Sequence, residues 1–134
     1  MIDRRAMFAP LLAAHPGFAL QHDAFLAAWG CDAADPPTYL LLADLARECS
    51  RLLGEDRRAE IVSILGVVED WLLHGDAYVR EAATIGFLER LQNEAIHRGT
   101  TPDDFLGLLG PEARFWWAKV SGFWSDGEPN TDDR

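Results

Sequence analysis

Two acid–imidazole pairs are the nearest this chain comes to a reactive constellation. Glu94-Ala95-Ile96-His97 has the spacing that sets two metal ligands on one helical face, and Asp70 with His74 makes a second same-face pair. Carboxylate-bridged dimetal bundles need two Glu-x-x-His motifs and two further inward glutamates, and one motif is present. His74 and His97 each fall in the last turn of an expected helix, where an imidazole interacts well with the exposed carbonyls. His15 precedes Pro16 and His22 precedes Asp23, neither at ligand spacing. There is no Gly-rich phosphate loop and no Gly-x-Ser-x-Gly elbow. Cys31 lies beside a loop signal and Cys49 in an apolar stripe, with no Cys-x-x-Cys, so both read as reduced thiols. The expectation is a protein with no catalytic residue, no metal and no cofactor, hence not an enzyme.

The densest unusual chemistry is aromatic. Phe115, Trp116 and Trp117 are consecutive, with Phe123 and Trp124 two turns on. Three consecutive residues spread over about 200° of a helix, so one of them must point away from a single buried face. An outward Trp is a natural interface anchor, because it covers a large area at small entropic cost. Trp117 and Trp124, with Asp126 and the acids Glu69 and Asp70 as a polar rim, are therefore the candidate partner-binding residues. The alternative reading places these rings in the core. Arg57-Arg58, bracketed by Glu55, Asp56 and Glu60, reads as a solvated face with local ion pairs.

These side chains have to be positioned by helices. Of 134 residues, Ala and Leu supply 37, whereas Val, Ile and Thr supply 15, a balance that favours helix over strand. That length amounts to one domain. Apolar positions at helical spacing predict two short helices before Gly30, joined by a kink at Pro16-Gly17. Gly30 to Pro37 is an expected loop. A helix follows from about Thr38 to Leu53, with Gly54 as its stop. Glu55 to His74 should form a longer helix, its broad apolar face including Val62, Gly66 and Leu73. Gly75-Asp76 breaks the run, with Asp76 capping a deeply buried helix from Tyr78 to His97. Folding back at Gly75 brings Gly66 and Gly86 to similar heights, where both would permit close approach to a neighbour. Thr101-Pro102-Asp103-Asp104 starts a short helix to Leu109, and Gly110-Pro111-Glu112 starts the last. The expected architecture is an all-α single-domain bundle of six or seven helices with a central antiparallel hairpin. Residues 1–124 form the domain and 125–134 a mobile acidic tail.

Twelve basic against 22 acidic residues give a formal charge of −10. That surplus repels the phosphates of nucleic acid and the anionic lipid surface, and it speeds encounter with a basic protein. The apolar run Ala6 to Ala14 is short, holds Pro10 and follows Asp3, so it makes a poor secretory signal, and nothing approaches a membrane span. A cytoplasmic location is expected.

Asp76 to Ala83 (DAYVREAA) resembles the start of the second helix of a HEAT-type repeat, although the usual distal Leu-Gly pair falls three positions early, at Ile85-Gly86. More broadly, GDAYVREAATIGFLERLQ followed by LLGPEARFWWAKVSGFW resembles small bacterial helical proteins, some of which look like immunity proteins of toxin systems. This resemblance implies a helical fold, partly HEAT-like, and supplies no catalytic residues. The functional expectation is a non-catalytic protein-binding domain, most concretely a stoichiometric inhibitor of a basic partner. A self-associating scaffold or adaptor, with a homodimer left open, is the alternative, and a metal-dependent helical enzyme is third.

Overall fold

A computed structural model describes residues 1–29, 38–93 and 100–126, with residues 29 and 122–126 described as helix backbone only. The protein is all-α. In chain order, α1 (Phe8–Ala14), a 3₁₀ turn (Pro16–Phe18) and α2 (Ala19–Trp29) precede the long α3 (Thr38–Gly54) and α4 (Arg58–His74). A rod follows, made of α5 (Ala77–Glu81), a π-helical segment (Ala82–Leu88) and α6 (Glu89–Leu91). A 3₁₀ helix (Pro102–Leu108) and α7 (Pro111–Asp126) complete the described chain. The expected loop at 30–37, the Glu94 and His97 pair and residues 127–134 lie outside the described residues.

The rod packs against α3, α4 and α7, and its π segment sits at the centre with Ala82, Ala83, Phe87 and Leu88 fully buried. This is the deeply buried helix that an uncharged stretch from Ala82 to Leu88 predicts, but it is not one continuous α-helix. A π turn leaves its carbonyls out of the regular ladder. Thr84 answers part of that deficit, its hydroxyl donating to the carbonyls of Arg80 and Glu81 at 3.1 Å each.

Asp76 caps α5 as expected, its carboxylate accepting from the Val79 N–H at 2.9 Å. Ahead of α1, Ile2 bridges the corner before it: its N–H donates to the His74 carbonyl and its carbonyl accepts from the Asp76 N–H. Met7 is buried, and its carbonyl accepts from the Trp71 indole at 2.9 Å. The N-terminal residues thus hold the α4–α5 corner from outside the helices.

Three expectations need correction. The helix expected from Glu55 begins at Arg58, because Asp56 adopts a left-handed backbone (φ 58°) that no helix continues through. Gly54 closes α3 from within its last turn. The two glycines also part company. A Cβ on Gly86 would come within 2.9 Å of Leu42 Cδ1 and 3.4 Å of the Tyr39 ring, so this glycine does let α3 approach. Gly66 is exposed with nothing within 4 Å, and Val62 and Leu73 beside it are about half exposed.

Candidate functional site

Gly86 positions the first wall of a cleft. By admitting Tyr39 from the first turn of α3, it places an aromatic ring against the π segment. Glu89 and Arg90 of α6 continue that wall, Thr101 to Asp103 stand opposite at the start of the 3₁₀ helix, and Trp117 of α7 lies at the floor. The cleft measures about 930 Å³. Gln92 closes one corner by donating its side-chain amide to the Trp117 carbonyl at 2.9 Å. The Thr101 N–H donates to Asp104 at 2.9 Å, which fixes the opposite rim as a capped first turn. Burial, then the fields of Glu81, Tyr78 and Glu89, push the Tyr39 hydroxyl above its ordinary value. Glu89 and Asp103 form no ion pair among the described residues. The cleft can therefore take a cationic group against aromatic surface.

A second constellation sits where the N-terminal helices meet the α3–α4 connection. His15, 6 % exposed, places Nε2 at 2.7 Å from Glu48, which is 8 % exposed. Glu48 accepts two bonds from the Arg51 fork at 2.9 Å. Arg51 reaches Glu55, Glu55 reaches Arg57, Arg57 pairs with Glu60, and Glu60 returns to within 3.7 Å of His15 Nδ1. These six side chains close a ring of alternating charge that joins α1, α3 and α4. The Arg51 hydrogen bonds, aided by His15, hold the Glu48 carboxyl below the ordinary range against the opposing effect of burial. Cys49, next in sequence, is fully buried, and burial pushes its thiol well up, so it is a core residue and a poor nucleophile. The ring is a fastening. Among the described residues no three His, Cys, Asp or Glu side chains are placed to hold a metal.

A family model described as a domain of unknown function, DUF7674, matches residues 8–125. The chain belongs to the DUF7674 family. The matched span runs from the first residue of α1 almost to the end of α7, so the cleft and the charge ring both belong to the family domain. Ile2 and Met7 lie ahead of it. No curated protein and no solved structure matches the chain.

Of the residues that sequence singles out for binding, the structure brings one to the cleft. Trp117 is 4 % exposed with its ring tilted against Phe105, so it is a core residue lining the floor and not a protruding anchor. Phe115 is the ring that turns outward, half-buried, under the Lys119 ammonium. Glu69 points inward across the fold: its two carboxylate oxygens accept the N–H groups of Glu112 and Ala113 at 2.9 Å each, capping α7 from another helix. Gly110 is needed there, since a Cβ would come within 2.6 Å of that carboxylate. Asp70 is exposed on α4. Trp124 and Asp126 lie in the last turns of α7, with side chains outside the described residues.

Sequence reasoning passed over Tyr39, Glu89 and Asp103, and it missed the His15 ring. One signal was present. Glu48 falls on the same face as Leu41, Leu45 and Leu52, and a carboxylate inside an apolar stripe must find partners.

Proposed function

We propose that this DUF7674 domain is a non-catalytic protein-binding domain, acting as an immunity-like stoichiometric inhibitor of a basic partner. The observation that supports it is how the charge of −10 is arranged. Arg47, Arg51, Arg57 and Arg58 are engaged by carboxylates of this same chain. Asp23, Asp70, Glu81, Glu89 and Asp103 enter no ion pair among the described residues. Much of the cationic charge is thus spent internally, and the surplus acid faces outward, where it attracts a basic surface over roughly a Debye length, about 10 Å at moderate salt.

The test is affinity capture at low salt, identification of the bound protein, and titration of the purified pair. A basic partner bound one-to-one, with association slowing steeply as salt rises, supports the reading. An acidic partner, or binding indifferent to salt, overturns it.

A second reading rests on α4. Its outer face exposes Val62 and Leu73 about one turn to either side of the open Gly66 and Asp70, a face that a self-associating scaffold would cover. Sedimentation over a range of concentrations separates a dimer from the monomer that the inhibitor reading expects.

A further inference from the structure

We infer that the cleft between the rod and α7 is where a basic partner inserts a lysine or arginine side chain. This deepens the inhibitor reading and rests on it. Three features of the cleft combine. Its size, about 930 Å³, falls within the range of concave sites that enclose a side chain together with part of the segment carrying it. Its floor and one wall are the aromatic residues Trp117 and Tyr39, which favour the aliphatic stem and the cation of such a side chain. Its rim places Glu89 on one side and Asp103 on the other, neither neutralised by an ion pair among the described residues.

The walls belong to separate elements, so the arrangement is a product of tertiary packing. Gly86 sets Tyr39 against the π segment, Gln92 ties the end of the rod to α7, and the capped turn at Thr101 fixes Asp103. Arg90 also lines the cleft, and its guanidinium disfavours a second cation close beside the first. The fitting occupant is therefore one basic side chain carried by a protein segment, not a run of them.

The probes are two short neutral peptides with a single central lysine or arginine, and a third with the lysine acetylated. Binding is followed by NMR, with the Trp117 indole signal assigned from Trp117→Phe. The charged peptides should shift the Trp117 and Tyr39 ring resonances, the acetylated one should not, and about 0.5 M salt should reverse the shifts. Glu89→Gln with Asp103→Asn should weaken binding about tenfold, and Tyr39→Phe, which keeps the ring, should leave it near wild type. Asp23→Asn with Asp70→Asn is the control, placed away from the cleft residues, and should change little. If shifts are salt-sensitive but map elsewhere, and the Glu89 and Asp103 pair has no more effect than the control, the cleft inference is overturned while the acidic-surface reading stands. If neither charged peptide binds anywhere while an identified basic partner does, the single-side-chain inference fails. If that partner's binding is also indifferent to salt, both fail.

Discussion

Glu69 shows how a residue that looks like part of a binding rim can be committed to the fold. The four leading N–H groups of α7 have no partners inside the helix, and Glu69 satisfies two of them while setting negative charge at the positive end of the dipole. Glu69→Ala should cost roughly 1–2 kcal/mol in urea denaturation, within the usual range for loss of a cap, with the slope unchanged. Glu48 makes a different prediction, about pH. Its carboxyl is held low in the folded state by Arg51 and His15, so its contribution is complete above the unfolded carboxylate value, near 4.3, and is lost as pH falls through the folded value. Glu48→Gln should cost about 1–3 kcal/mol at neutral pH and flatten the decline in Tm between about pH 5 and 3. An unchanged acid profile would mean the ring does not fasten the N-terminal helices. Trp117→Ala should cost about 3–5 kcal/mol, as a core indole does.

At the level of elements, the two glycines once expected to behave alike should respond oppositely. Gly66 sits mid-helix with open space around it, so Gly66→Ala should stabilise by about 0.5–1 kcal/mol. Gly86→Val should destabilise by about 1–3 kcal/mol, because Leu42 and Tyr39 already occupy the volume. Thermal denaturation of both variants checks the pair. Their difference also marks what the sequence could reveal. Caps such as Asp76 and punctuation such as Thr101-Pro102 act locally, and the chain states them outright. Whether a glycine meets a neighbour depends on which helix arrives beside it, and periodicity carries no record of that. The same reason hides the cleft, whose walls come from α3, the rod, a 3₁₀ helix and α7, and the Glu69 cap, which spans more than forty residues of chain. The boundary after Gly54 escaped because Asp56, a residue that also starts helices, takes a left-handed turn here.

For the whole molecule, one apolar cluster runs from Met7 to Trp117, so the domain should unfold as a single unit. Within it, the π segment keeps count of the rod. Each residue in a helix turns the chain by about 100°, so one residue more or fewer swings everything downstream to a new face. Removing Ile85 would let the segment relax to an ordinary α-helix, yet Glu89, Arg90 and Gln92 would then arrive rotated, away from the cleft and from the Trp117 carbonyl. The expected outcome is a variant that stays helical by circular dichroism but no longer takes the charged peptides. Seen this way, the wide turn is a reading frame written in three dimensions: substitutions on it are tolerated or not one side chain at a time, whereas a single insertion or deletion there misreads the whole wall that follows.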